Sequence, residues 1–325
     1  MSGGLPIPPY RPMGLGQILD RVLRLLRANF RLLMGIAAVP GLTMLITYGM
    51  LLAAMGPSLI SAMRENKPEE MFHQAAILSA VFFPLMVVYL VVFAVYLAAA
   101  SYAAVLADRG TRVTFSDAYQ VACSRVGHYV LLTLAIYAVT FLPAFLLEIP
   151  ILVSSALMGA QKATPNPAFI LLFPLLIFLI LAAFIGGALV ALRLSLAFAA
   201  SIFESLGVKQ AIRRSWTLTR GALGRIFLVA LVIYAAIYIA TMVLIFGAMI
   251  VGVTGFFLLG PHDHASAHSI TVFAICAFVA YLAVIGIITM GTWAGFTTAF
   301  GVIYNDQRFR IDGASVAQGV SGVPG

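Results

Sequence analysis

The chain has 325 residues, of which 62% are hydrophobic and 9% charged, with a mean hydropathy of +1.07 and a formal net charge of +8. This balance excludes an ordinary water-solvated globular protein and fits a chain solvated mainly by lipid. The cations are interleaved with long apolar runs and no nucleic-acid module accompanies them, so the expected anionic partner is a phospholipid headgroup and not nucleic acid.

Residues 1–13, MSGGLPIPPYRPM, are rich in Pro and Gly and read as an exposed cytosolic tail. The first strongly apolar run begins near Leu32, after Arg11, Arg21, Arg24, Arg27 and Arg31. No small-x-small cleavage site follows it, so it reads as a retained transmembrane helix and not a signal peptide. Six apolar segments are expected near 31–56, 75–107, 129–158, 168–203, 226–259 and 271–304, each longer than the roughly 20 residues that cross a hydrocarbon core. They make residues 14–305 an all-α, six-span membrane domain, with 306–325 as a second cytosolic tail. Cys123 falls in a connection and Cys276 in an apolar run, which argues against a disulfide framework or a thiolate metal site.

Lys and Arg counts give an orientation. Fifteen of the nineteen lie in the N-terminal segment, the 108–128 and 204–225 connections and the C-terminal tail. The opposite loops hold only Arg64, Lys67 and Lys162, and Arg193 lies in an apolar run. The positive-inside rule then places both termini in the cytoplasm, with the plasma (inner) membrane as the expected location.

A threefold repeat emerges when Leu15, Phe115 and Val208 are aligned and read forward at 100 degrees per residue. In the first copy Leu15, Ile18, Leu19, Val22, Leu23 and Leu26 share one face, against Gln17, Asp20, Arg21, Arg24 and Arg27. In the third, Val208, Ala211, Ile212, Ser215, Trp216, Leu218 and Thr219 oppose Lys209, Gln210, Arg213, Arg214, Thr217 and Arg220. The middle copy sets Phe115, Ala118, Tyr119, Ala122, Cys123 and Val126 against Ser116, Asp117, Gln120 and Ser124, with Val121 interrupting its polar face. Thr114 and Asp117 predict a capping box at its start, and Gly207 a permissive start for the third. The unit is one interfacial helix followed by two spans, giving repeats of about 14–107, 108–204 and 205–305. The even-numbered spans each end near an acid, at Asp108, Glu204 and Asp306.

Basic amphipathic helices of this kind suit a headgroup layer, where each well-placed cation contributes about 1 kcal/mol of attraction to an anionic leaflet. Arg21, Arg24, Arg27, Lys209, Arg213, Arg214 and Arg220 are the candidate lipid- or partner-binding residues. The competing reading is a topological anchor that orients the span that follows.

Two intramembrane polar residues are further candidates, Glu148 in the third span and Arg193 late in the fourth. Glu148 lies about 28 Å along its helix from Tyr129, towards the outer side, so the two are not expected to form a buried ion pair. His262, His264 and His268 in the turn PHDHASAHS are metal ligands by residue type, but their spacing is not diagnostic and the turn also reads as a solvated one. No cofactor is expected. Pro40, Pro84, Pro143 and Pro174 interrupt the first four spans as kinks. A four-residue stripe of Ala183, Gly187, Ala191, Ser195 and Ala199, and the GTWAG segment at 291–295, allow close helix packing, either inside the bundle or across a homo-oligomer.

The stretch RLSLAFAASIFESLGVKQAIRRSWTLTRGALGRIF, from Arg193, resembles the membrane-domain family named after glycerophosphoryl diester phosphodiesterases. Its most specific part is Arg193, the turn from Glu204 to Gly207, Ala211, Arg213, Arg214, Ser215, Thr219, Arg220 and Gly221. RPMGLGQILDRVLRLLRANFRLLMG and GVIYNDQRFRIDG are similar to the family's opening and closing blocks, so the resemblance covers most of residues 11–312. In some relatives such a region accompanies a soluble phosphodiesterase domain, which has no counterpart in this sequence, and the enzymatic activity is therefore not carried over. The sequence is thus read first as a non-catalytic multipass protein that engages anionic headgroups or a membrane partner. A transporter or exporter of a small or lipid-like molecule ranks second, and a membrane glycerophosphodiester phosphodiesterase third.

Overall fold

The computed structural model describes residues 13–64, 68–161, 167–259 and 267–320. Among these residues there is no strand. The helices are α1 (Leu15–Ala28), α2 (Phe30–Arg64), α3 (Pro68–Asp108), α4 (Phe115–Cys123), α5 (Val126–Gln161), α6 (Pro167–Leu194), α7 (Ala197–Phe203), α8 (Val208–Thr219), α9 (Leu223–Leu259) and α10 (Ala267–Val320). Six spans are long and apolar enough to cross a membrane: Phe30–Leu51, Ala80–Asp108, Val126–Pro150, Pro174–Phe203, Leu223–Ile250 and Val279–Gly313. The protein is a multipass, all-α membrane bundle.

The short amphipathic helices α1, α4 and α8 begin for local reasons. α1, α4 and α8 start at Leu15, Phe115 and Val208, the three residues that the sequence alignment superimposes. Each begins with a side chain in its first turn that reaches back to the amide before the helix. Gly14 N donates to Gln17 Oε1 at 2.9 Å, Thr114 N to Asp117 Oδ2 at 3.0 Å, and Gly207 N to Gln210 Oε1 at 3.3 Å. Only at α4 does the cap reciprocate, the Thr114 hydroxyl accepting from Asp117 N at 3.2 Å as the capping box predicts.

The helix ends that precede α4 and α8 are also alike. After α3 the chain turns through Gly110, at φ +78°, with Thr111 N donating to Leu106 O and Gly110 N to Ala107 O. After α7 it turns through Ser205, at φ +51°, with Leu206 N donating to Ser201 O. Both are left-handed helix stops of the Schellman kind, which glycine adopts without cost and serine does not. α10 has no such stop. It continues unbroken through the stretch expected to be a tail, burying Asp306 fully and Gln307 almost so.

The prolines do not break their helices. Pro84, Pro143, Pro150 and Pro174 all lie inside continuous α-helix. Pro40 likewise lies within α2 and has no amide to give the carbonyl of Ile36, four residues back. The Tyr119 hydroxyl of α4 donates to that carbonyl at 3.0 Å. Burial, with a smaller contribution from Cys123, holds the Tyr119 phenol above its ordinary pKa, so it remains a neutral donor. The helix break falls instead late in the fourth span, away from Pro174, where the sequence reading expects continuous helix. The helix stops at Leu194 and resumes at Ala197, where Ser195 turns both its amide and its hydroxyl onto Leu192 O, at 3.4 and 2.8 Å. That local hydrogen bonding competes with the helical ladder.

The chain divides into two compact units. One comprises the described residues of 13–126 and 228–303. Its α1 buries Ile18 and Val22, its α4 buries Ala118 and Ala122, and α3 offers a fully buried alanine face at Ala94, Ala98, Ala103 and Ala104. Those small side chains allow a close approach: a Cβ on Gly301 of α10 would lie 2.7 Å from Ala104 Cβ. Trp293 packs edge-on against Phe93 at 5.3 Å and against Tyr96 at 5.8 Å. The other unit comprises the described residues of 127–227 and 304–320, in which α8 packs on α6 and α7. There the stripe glycine Gly187 of α6 lies so close to α5 that a Cβ would overlap the Thr140 carbonyl oxygen. The stripe is therefore used at Gly187 to pack two helices of the same chain. In the GTWAG segment, Gly295 faces Ile233 and Ile237 of α9 at ordinary contact distance, and none of the described residues comes within 4 Å of a Cβ placed on Gly291.

Candidate functional site

The third amphipathic helix, α8, is held by its buried face. Ala211, Ser215, Leu218 and Thr219 are fully buried, although two of the four carry hydroxyls. The break at Ser195 explains that of Ser215. With no helical amide at its proper place, the Arg193 carbonyl accepts the Ser215 hydroxyl at 2.7 Å, while the Thr219 hydroxyl has its nearest acceptor in Ser215 O at 2.9 Å. A buried carbonyl left unpaired costs about 1–3 kcal/mol, so the Ser215 hydroxyl satisfies the end of α6 and fixes α8 across it. The guanidinium of Arg193 lies 4.5 Å from the centre of the Trp216 ring, a cation–π contact. α8 ends in a tight turn closed by Ala222 N to Thr219 O at 3.1 Å, with Gly221 at φ +78° in the position of a type II turn that favours glycine.

The polar side of α8 splits into two classes. Arg214 turns inward and joins three elements: its Nε bonds Glu204 Oε2 at 2.8 Å, and its NH2 group bonds both Asp312 oxygens at 3.0 and 2.8 Å. Tyr304 completes the cluster by donating to Glu204 Oε1 at 3.0 Å. Burial works against the Arg214 charge, but hydrogen bonds to Asp312 and Glu204 outweigh it and raise its pKa. Next to this cluster on α10, fully buried Asp306 accepts from Arg225 and Arg310, each at 2.9 Å. His128 Nε2 meets Ser201 Oγ at 2.7 Å, and the same hydroxyl donates to Leu206 O, which closes the turn before α8. Lys209, Arg213 and Arg220 remain exposed on the outer face of α8, beside Trp216.

The first amphipathic helix divides its cations in the same way. Arg21 pairs through Nε with Asp108, whose side chain is fully buried, and its NH2 group donates to the Asp108 carbonyl at 2.7 Å. Arg24 is exposed and makes only a surface pair with Asp20 at 2.7 Å, of the kind that contributes little. Arg27 is exposed. In the repeat alignment Arg21 and Arg214 are the same position, and the middle copy has Val121 there.

Of the seven candidate cations, Arg21 and Arg214 are thus committed to acids within the chain, and Arg24, Arg27, Lys209, Arg213 and Arg220 are presented outward. The sequence reading noted the acids Asp108, Glu204 and Asp306 but missed their arginine partners. The available signal was a set of acids at the span ends richest in cations. Glu148 is half-buried and makes no hydrogen bond or ion pair among the described residues, and it does not meet Arg193. His262 and His264 lie outside the described residues, and only the backbone of His268, within α10, lies inside them. Comparison of the chain with family models, with curated proteins and with solved structures gives no match.

Proposed function

We propose that this chain is a non-catalytic protein of the plasma (inner) membrane, with both termini cytoplasmic, whose helices α1 and α8 hold anionic lipid headgroups. The observation that carries the reading is the division of the cations. A helix that served only as an anchor has no need to pair one arginine inward and leave its neighbours outward. Here Arg214 is fixed to Glu204 and Asp312, while Lys209, Arg213 and Arg220 stay exposed alongside Trp216. That arrangement orients a cationic surface with an indole at its edge, the composition of an interfacial helix. We read α1, α4 and α8, each followed by two spans, as three copies of one unit. The resemblance to the glycerophosphoryl diester phosphodiesterase membrane domains agrees with a membrane role.

The test uses Trp216 as the reporter. In a Trp293→Phe background only Trp216 fluoresces, and headgroup-labelled quenching lipids can be compared in nanodiscs of phosphatidylcholine with and without phosphatidylglycerol. Labelled phosphatidylglycerol should quench Trp216 more than labelled phosphatidylcholine at equal content, and Lys209→Gln/Arg213→Gln/Arg220→Gln should remove the difference. Equal quenching by both lipids in the parent protein would refute the reading. A copurifying membrane protein lost in the same triple variant would reassign the surface to a partner. For orientation, a reporter fused after Gly325 should be active only in the cytoplasm.

A further inference from the structure

We propose that the elbow between α1 and α2 is a binding site for a phosphoryl group, supplied either by an anionic phospholipid or by a soluble phosphate ester. The proposal rests on the headgroup reading above and names one seat for it. α1 ends at Ala28, and Asn29 caps it through its amide and its Nδ2, which reach Leu25 O at 2.9 and 3.2 Å. α2 then starts at Phe30. The elbow borders an open cleft of about 400 Å³, lined by Arg27, Ala28, Asn29, Phe30, Arg31, Leu32 and Val113. That volume lies within the roughly 300–1,000 Å³ of small-ligand sites.

The chemistry of the lining selects the ligand. Arg21 and Arg24 on the same helix are each paired with an acid, whereas Arg27 and Arg31 line the cleft and have no acidic partner among the described residues. None of the residues lining the cleft is acidic. Guanidinium forks match the oxygens of a phosphate better than any neutral ligand, and two arginines line this one cleft. α2 is tied to the elbow by the hydrogen bond from Leu33 N to Asn29 O at 3.0 Å. Phe30 is 58% exposed and, with Leu32 and Val113, gives the cleft an apolar side suited to the glycerol and acyl part of a lipid.

The test uses purified full-length protein in detergent, with equal amounts of dioleoyl phosphatidic acid and dioleoyl phosphatidylcholine, read by native mass spectrometry. The wild type should retain phosphatidic acid preferentially. Arg27→Gln/Arg31→Gln should lose that preference by about tenfold for each cation removed. Arg27→Lys/Arg31→Lys, which keeps the charge, should retain part of it and shows that the fold survives substitution here. Displacement of the lipid by inorganic phosphate would identify the phosphoryl group alone as the ligand. Retention of the lipid against inorganic phosphate would identify the phospholipid as the source. An undiminished preference in Arg27→Gln/Arg31→Gln overturns the proposal. If the preference then falls in Lys209→Gln/Arg213→Gln/Arg220→Gln, the headgroup reading stands without this cleft; if it falls in neither variant, both are overturned.

Discussion

Tyr119→Phe removes a single oxygen, and its effect should depend on a proline in another helix. The Ile36 carbonyl has lost its helical donor to Pro40 and receives the Tyr119 hydroxyl at 3.0 Å. Ile36 is fully buried, so water cannot readily replace the hydroxyl. An unsatisfied buried carbonyl costs about 1–3 kcal/mol in water-soluble proteins. Hydrogen-bonded pairs in membrane proteins average nearer 0.6 kcal/mol, because the unfolded chain also finds partners there. Tyr119→Phe should therefore destabilise the protein by about 1–2 kcal/mol. Pro40→Ala restores an amide four residues after Ile36, so in that background the same Tyr119→Phe change should cost less than about 0.5 kcal/mol. Reversible unfolding in mixed micelles, titrated with a denaturing detergent and followed by circular dichroism, measures all four proteins of the cycle. An equal cost of Tyr119→Phe in both backgrounds would show that the hydroxyl does not stand in for the missing amide.

Arg214→Met should destabilise by about 2–3 kcal/mol in the same assay, mostly through Glu204, which is 15% exposed, since the 43%-exposed Asp312 pair contributes under about 1 kcal/mol. Adding Glu204→Gln should recover most of the loss, and no recovery would place the cost elsewhere. Gly187→Ala should cost about 1–3 kcal/mol, because its Cβ meets backbone that cannot rotate away. If the variant instead changed only the size of a homo-oligomer on gel filtration, the small-residue stripe would belong to a subunit interface. The start of α4 should be sensitive to acid. Hydrogen bonds with Thr114, first through its side chain and then through its amide, hold Asp117 below the ordinary carboxylate pKa. A depressed folded value means that this contribution is complete above the unfolded value of about 3.9 and disappears as pH falls through the lower folded one. The stability gap between wild type and Asp117→Asn should close over that acid range, and a pH-independent gap would contradict the assignment.

Much of this protein was legible in its sequence because the governing forces are local. Lipid selects apolar runs long enough to span it, so the six spans follow from hydropathy alone. The three short helices start where periodicity and capping chemistry place them, since a first turn needs donors satisfied within a few residues. The break at Ser195 escaped notice because nothing in the apolar run marks it and the strong helix punctuators, the prolines, are all accommodated within helices.

The division of the cations was decided only by tertiary structure. A helical wheel places Arg213 and Arg214 together on the polar face of α8, yet one is exposed and the other joins Glu204 to Asp312, 98 residues away. Arg21 and Arg24 differ in the same way, through Asp108, 87 residues on. Periodicity records which face of a helix avoids burial, averaged over its length. It carries no information about which distant acid the fold delivers to one end of that face, and the Coulomb attraction that fixes an arginine acts only once that acid has arrived.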